Sequence, residues 1–156
     1  FRSTAGPPCR TVSFCRQRGV VDGGPKPVRA REGPLRFGLP NITASMQEQA
    51  DHDTALWLKN LWYMKLVKQA NPQAEVMVEQ PRDPAEWQTQ VQDCPTFLVW
   101  PETAQVMKDL QLTPVKFCQG SMGHPTAKPT TILTDVRELQ HPRKGKPSES
   151  GEPTWI

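Results

Sequence analysis

The chain has 156 residues, of which 17 are proline and 10 are glycine, and only 36% of its residues are hydrophobic. These values are typical of a single domain with a modest core and much irregular structure. The sequence has no apolar run long enough to span a membrane and no signal-peptide pattern. Its four cysteines have no zinc-ligand spacing and are too few for a disulfide scaffold, so we expect no metal and a reducing intracellular setting.

The net charge of +3 is unevenly distributed along the chain. Residues 1–37 contain eight basic and two acidic side chains, whereas residues 38–112 contain five basic and ten acidic ones. A basic arm rich in proline and glycine is compatible with a nucleic-acid contact, and a solvated flexible arm explains the charge equally well. The arginines that we assign to nucleic-acid binding are Arg10, Arg16, Arg18, Arg29 and Arg31.

The first distinctive motif is Gly6-Pro7-Pro8-Cys9-Arg10-Thr11-Val12-Ser13. The two proline rings fix φ near −65° and so hold the following thiol at a defined angle. A thiolate is a strong nucleophile, and neighbouring arginines favour the thiolate form. Cys9 is therefore a candidate nucleophile, although an ordinary Pro-Cys turn explains the motif when it is taken alone.

A long loop is predicted over residues 16–40, because glycine and proline recur there. A helix is then predicted from about Ser45, where Ser45-x-x-Glu48 has the form of a capping box, to about Ala70. Asn71-Pro72 ends it.

The second half of this helix is apolar on more than one side, which indicates burial against a sheet. We expect Trp57 and Trp62 to be core residues rather than platforms on which bases stack.

Helix and strand alternate in the rest of the core. The predicted elements are a strand over residues 75–79, a helix over 101–110, and strands over 115–119 and 130–134. The alternation indicates an α/β fold with a mostly parallel sheet, and the last two strands are close enough to form an antiparallel pair at its edge. If residues 1–5 continue a truncated strand, Cys9 and Glu79 both follow carboxyl ends of strands, where ligands bind in open α/β sheets.

Three regions follow from these predictions. Residues 1–40 form the cysteine loop and a long irregular basic arm, residues 41–137 form the core, and residues 138–156 form a disordered tail.

Two further motifs accompany the cysteine loop. Glu79-Gln80-Pro81 ends a predicted strand, and Gly123-His124-Pro125-Thr126-Ala127-Lys128-Pro129-Thr130 leads into the last one. In this order, the three motifs resemble the second half of the catalytic domain of cytosine-5 DNA methyltransferases. The family's Gly-Pro-Pro-Cys-Gln-x-x-Ser loop is matched by residues 6–13, with Arg10 in place of glutamine. Its Glu-Asn-Val element corresponds to residues 79–81.

The third family element, Gly-x-Pro-Gln-x-Arg-x-Arg, is matched in part. Gly123 and Pro125 agree with it, while Thr126, Lys128 and Thr130 replace the glutamine and both arginines. The resemblance covers roughly residues 6–135 and implies a partial Rossmann-like methyltransferase fold with a closing antiparallel hairpin.

The resemblance also implies a chemistry for three residues. Cys9 would add to carbon 6 of cytosine, and Glu79 would hold the ring nitrogen and the exocyclic amine. Lys128 would align the cysteine loop or neutralise a phosphate. Without the resemblance, Glu79 is equally well explained as a strand-end carboxylate paired with a lysine, and Lys128 as a solvated charge at a hairpin tip. The implied partner is DNA whose target base leaves the helix stack, so a nuclear location is expected.

The implied cofactor is S-adenosylmethionine, which the family binds through strands that precede the cysteine loop. The chain starts at Phe1, so we expect a fragment that is completed by an upstream half of the same polypeptide. Whether such a domain is active or decayed stays open. The alternative is a non-catalytic nucleic-acid-binding module, since the arrangement also resembles retrotransposon-type polyproteins of some protists.

Overall fold

The computed structural model describes residues 1–13, 26–86, 92–122 and 128–140. Within these ranges the chain forms four strands and three α-helices. In chain order they are β1 (Arg2–Ala5), α1 (Ala44–Ala70), β2 (Glu75–Pro81), α2 (Pro101–Leu110), β3 (Thr113–Cys118), β4 (Pro129–Thr134) and α3 (Arg137–Gln140). The protein is therefore of mixed α/β class. No helix in the described ranges is both long and apolar enough to cross a membrane.

The four strands form one mixed sheet in the order β1-β2-β4-β3. Strands β1 and β2 are parallel, with Ala5 opposite Val78, whereas β4 is antiparallel to both of its neighbours. The prediction of a mostly parallel sheet is therefore wrong for the described strands, because β4 enters between β2 and β3 and reverses two of the three pairings. The predicted antiparallel pairing of the last two strands is confirmed, with β3 at the edge.

The N-cap of helix α1 lies two residues before the predicted capping-box residue, Ser45. The hydroxyl of Thr43 accepts a hydrogen bond from the backbone N–H of Met46, so Thr43 is the N-cap instead of Ser45. The helix ends at Ala70, as predicted.

Helix α1 packs on the sheet through one narrow stripe. Its buried residues recur every three or four positions and are Ala50, Asp53, Trp57, Leu61 and Met64. Trp57 is confirmed in the core, where its ring stacks on Phe97 at a centroid distance of 5.3 Å. Trp62 is 57% exposed, so its predicted burial is wrong: it lies about 100° around the helix from Leu61.

Residues 26–40 contain one short 3-10 helix, Pro34–Phe37, and are otherwise irregular, as predicted. They nevertheless pack closely on the core. Val28 and Arg29 are almost completely buried, and backbone hydrogen bonds join Leu39 to Val28 and Ala30 to Leu35. The predicted disordered tail lies mostly outside the described residues, which end with α3 at residue 140.

Candidate active site

The three predicted catalytic residues, Cys9, Glu79 and Lys128, lie at the end of the sheet where β1 and β2 finish and β4 begins. Because β1 and β2 are parallel, the loop that carries Cys9 and the end of β2 that carries Glu79 lie at the same edge. Lys128 directly precedes β4, and since β4 is antiparallel to β2, its start lies beside the end of β2.

Glu79 is the centre of this group. Its Oε1 atom lies 3.1 Å from Lys128 Nζ and accepts a hydrogen bond of 3.4 Å from Gln119 Nε2. The side chains of Lys128 and Glu79 are 41% and 33% exposed, so the pair is open to solvent on one side. On the cysteine loop, a Cβ atom added at Gly6 would lie 3.6 Å from Glu79 Oε2, which is ordinary contact distance. The loop and the strand end therefore touch.

Cys9 is half-buried and packs against the hydrophobic core. Burial raises the pKa of its thiol, the positive charge of Lys128 lowers that pKa, and the negative charge of Glu79 raises it. The net result is a raised pKa, so the loop does not favour the thiolate in the way that its arginine-rich sequence predicts. Among the neighbouring charges, Lys128 is the one that assists deprotonation.

The cysteine loop is anchored on both sides of Cys9. The backbone N–H of Val12 donates to the carbonyl of Cys9 at 3.0 Å and closes a turn. On the carboxyl side of Cys9, Arg10 Nε donates to Asp53 Oδ1 at 3.1 Å and Thr11 Oγ1 donates to Asp53 Oδ2 at 2.8 Å; Asp53 belongs to α1. On the amino side of Cys9, the carbonyl of Pro7 accepts a hydrogen bond from the side chain of Gln80 on β2.

Asp53, Gln80 and Gln119 are site residues that were not predicted from the sequence. A signal for Asp53 does exist, because it is an acidic residue inside the apolar stripe that includes Trp57 and Leu61. An unpaired charge at such a position is costly, so a buried acid there indicates a specific partner. For the two glutamines, the contacts depend on tertiary placement alone.

Arg29 does not lie where a nucleic-acid contact requires it. It is 1% exposed, and its guanidinium donates to the carbonyls of Ala50 and Arg36 and to the hydroxyl of Thr54. The guanidinium also lies over the ring of Phe97, 5.2 Å from its centroid. Burial lowers the pKa of Arg29 to about 10, which still leaves it charged at neutral pH. The predicted role of Arg29 is therefore corrected to an internal one.

Arg31 also makes internal contacts. Its Nη1 atom donates to Asp83 Oδ1 at 2.8 Å and to the carbonyl of Cys94 at 3.0 Å, and the hydrogen bond to Asp83 raises its pKa. A guanidinium held in this way is not presented to a phosphate, so the predicted role of Arg31 is corrected too. Arg10 binds Asp53, and Arg16 and Arg18 lie outside the described residues.

The described residues contain no group of three or more histidine, cysteine or acidic side chains that could hold a metal. For S-adenosylmethionine, the expected feature is a glycine-rich turn after a parallel strand. The described segments that follow β1 and β2 (6–13, 82–86 and 92–100) contain one glycine, Gly6, so none of these segments forms such a turn. Residues 123–127 of the third motif lie outside the described ranges.

We compared the chain with protein-family models, with curated proteins and with solved structures. None of the three comparisons finds a match.

Proposed function

We propose that this chain is the base-binding half of a divergent, S-adenosylmethionine-dependent DNA cytosine-5 methyltransferase-like domain with a partial Rossmann-like fold. The observation that carries the proposal is the convergence of Cys9, Glu79 and Lys128 at one sheet edge, although they are far apart in the sequence. The parallel β1–β2 pair and the β3–β4 hairpin also support it.

The proposed chemistry begins with the addition of Cys9 to the base. The thiol loses its proton to solvent, and a bond forms between sulfur and carbon 6. The π electrons of the C5–C6 bond then form a C4–C5 double bond, and those of the C4–N3 bond move onto N3. Carbon 5, a poor nucleophile in cytosine, then belongs to an enamine-like species that can attack an electrophile. S-Adenosylmethionine would supply that electrophile as a methyl group.

Glu79 and Lys128 have complementary roles in this addition. One Glu79 oxygen accepts a hydrogen bond from the exocyclic amine, and a proton taken from solvent lies between the other oxygen and the ring nitrogen, where negative charge develops as the sulfur adds. In the absence of a base, Glu79 Oε1 is bound by Lys128 and Gln119. The base therefore has to replace or join these donors, while Lys128 lowers the pKa of Cys9 from the same position.

Covalent trapping tests the proposal. A DNA duplex with 2-pyrimidinone at one target position accepts a thiolate at carbon 6 without a methyl donor. Incubation with the full chain should give a complex that survives denaturing electrophoresis. The complex should be absent with Cys9→Ser and retained with Cys15→Ser, a matched change of a nearby cysteine. No complex with the unmodified chain, or one that persists in Cys9→Ser, contradicts the proposal.

The alternative function is a nucleic-acid-binding module without catalysis. The internal contacts of Arg29 and Arg31 count against it, because they withdraw two of its five predicted arginines. It predicts that replacing Arg16 and Arg18 with glutamine reduces the salt dependence of DNA binding, whereas Cys9→Ser has no effect.

A further inference from the structure

Asp53 is a carboxylate placed where the fold otherwise buries apolar side chains. It lies in the stripe of α1 that faces the sheet, and its side chain is 0% exposed. A buried carboxylate is tolerated only when charged or polar groups replace its hydration. Here the replacements are Arg10 Nε at 3.1 Å and Thr11 Oγ1 at 2.8 Å.

Both donors belong to the turn that starts at Cys9. Thr11 and Val12 are buried, and the Val12 N–H bonds back to the Cys9 carbonyl, so this turn is docked on α1 rather than merely near it. On the other side, the link between Gln80 and the Pro7 carbonyl is a neutral hydrogen bond of 3.4 Å. Hydrogen bonds to an ionised group are the stronger kind, which makes Asp53 the stronger of the two anchors.

The same carboxylate also determines the position of Arg10. The guanidinium of Arg10 lies beside both Asp53 and the exposed His52, whose Nδ1 atom is 3.3 Å from Arg10 Nη2 and 3.7 Å from Asp53 Oδ1. Because Arg10 is the residue next to Cys9, its contact with Asp53 holds the chain beside the thiol.

We propose that Asp53 is a positioning residue for Cys9. It docks the turn of residues 9–12 on α1 and holds the Arg10 guanidinium, so that the thiol stays within reach of Glu79 and Lys128. The positioning role rests on the proposed function, because the placement of the Cys9 thiol matters only if that thiol reacts. The docking itself can be measured whether or not the chain binds a base.

The first experiment measures docking in the full chain without DNA. Asp53→Asn keeps the size of the side chain and removes its charge. Loss of hydrogen bonds to an ionised group should increase the undocked population of the turn roughly 10- to 100-fold. Hydrogen exchange of the Val12 amide should accelerate by that factor. Asp51→Asn is the matched control, because Asp51 is exposed on the same helix and hydrogen-bonds Gln47; it should leave this exchange unchanged.

The second experiment separates positioning from plain stabilisation through the pH profile of Cys9 alkylation by iodoacetamide. The negative charge of Asp53 contributes to the raised pKa of Cys9, and Asp53→Asn removes that charge. The profile should therefore shift to lower pH, while trapping of the 2-pyrimidinone duplex falls about tenfold or more. More thiolate with less adduct is the signature of a misplaced thiol. Asp53→Glu should restore part of the trapping.

Thr11→Val and Arg10→Gln each remove one partner of Asp53 and serve if Asp53→Asn fails to fold. Each should accelerate Val12 exchange, with a smaller effect for Thr11→Val because Arg10 still binds the carboxylate. Unchanged exchange and an unmoved pH profile in these variants would overturn the proposal even if the unmodified chain forms the adduct. Conversely, a chain that forms no adduct but shows the faster exchange and the shifted profile refutes the proposed function and leaves the docking role standing.

Discussion

Two groups of charged side chains in this molecule differ in how deeply they are buried and in how many partners bind them. The inner arginine cluster consists of Arg29, Arg31 and Arg36 with the rings of Phe97 and Trp100. Arg29 is buried under carbonyl and hydroxyl partners, and Arg36 lies between the Trp100 ring, at 4.8 Å, and Glu102 Oε1, at 2.7 Å. In the Cys9 cluster, formed by Cys9, Glu79, Lys128 and Gln119, one partly exposed carboxylate oxygen binds two donors.

The difference teaches that a run of arginines does not by itself indicate a surface for phosphates. In the inner cluster, the guanidinium groups join loop residues 26–40 to other parts of the core: Arg29 to α1, Arg31 to Asp83 and Cys94, and Arg36 to α2. Their charges therefore stabilise the fold. In the Cys9 cluster, the side chains of Lys128 and Glu79 are partly exposed. On the proposed function, they can therefore also contact a ligand. Variants that remove one charge at a time should therefore affect stability in the first cluster and reactivity in the second.

The largest expected effect belongs to Arg29→Met. This change removes a charged donor that makes three hydrogen bonds, to the carbonyls of Ala50 and Arg36 and to the hydroxyl of Thr54. Because a hydrogen bond to a charged group contributes about 1.5–3 kcal/mol, the loss should be at least about 3 kcal/mol. Urea denaturation measures the loss in the free energy of unfolding. Lys59→Ala, an exposed charge on α1, is the control and should stay within about 0.5 kcal/mol of the unmodified chain. A loss of similar size in both variants would erase the contrast between the clusters.

The next effect concerns the partner of Arg31. Asp83 is buried, and both of its carboxylate oxygens accept from Arg31. Asp83→Asn replaces the ion pair with a hydrogen bond from the Arg31 guanidinium to one amide oxygen and should cost about 1.5–3 kcal/mol in the same denaturation assay. Arg31→Lys should cost a comparable amount, because an ammonium cannot bind both oxygens in the planar geometry of a guanidinium. If Arg31→Lys has no effect on stability, the internal role of Arg31 is refuted.

Much of the element pattern could be predicted from local sequence. The proline at the start of α2 and the short apolar run of β2 are local signals; α2 has its predicted bounds, and β2 begins at Glu75 as predicted and continues to Pro81. The proximity of Cys9 and Glu79 could also be predicted, because it follows from the parallel pairing of two strands that precede them. The element predictions required local sequence alone, whereas the proximity of Cys9 and Glu79 also required the α/β topology that the alternation of helix and strand indicates.

The remaining features depend on tertiary contacts that no local pattern contains. Strand β4 pairs with β2 as well as with β3. Its sequence alone does not show which strand lies on its other side. Arg29 is buried because carbonyls on α1 and in its own loop receive its N–H groups. Trp62 is exposed although its neighbour Leu61 is buried, since one residue changes the face of a helix.

The third prediction uses the thiol that borders the inner cluster. Burial raises the pKa of Cys94 to about 12, with a further increase from Asp83 and an opposing effect of Arg31. A group whose pKa is higher in the folded state stabilises the fold below its unfolded value and loses that contribution as pH rises. The free energy of unfolding should thus fall by up to about 1.4 kcal/mol per pH unit above about pH 9.

Cys94→Ala should remove this part of the slope, which urea denaturation at about pH 8 and about pH 10 can measure. The comparison is between slopes, because the substitution also changes core packing at every pH. A slope that is identical in both proteins would mean that Cys94 has the same pKa in the folded and the unfolded chain.

The smallest effect on stability and the clearest effect on chemistry belong to the Cys9 cluster. Lys128 lowers the pKa of Cys9 and Glu79 raises it, so Lys128→Gln should move the pH profile of Cys9 alkylation to higher pH and Glu79→Gln to lower pH. Both variants should change the free energy of unfolding by no more than about 1 kcal/mol, because the pair is partly exposed. Lys116→Gln breaks a similarly exposed pair with Glu86 and should leave the profile unmoved.

Opposite shifts with unchanged stability are possible only if these charges act on the thiol rather than on the fold, which is the property that separates the Cys9 cluster from the inner arginine cluster. Shifts in the same direction would mean that the changes act by altering burial of Cys9, and the two clusters would then differ only in degree.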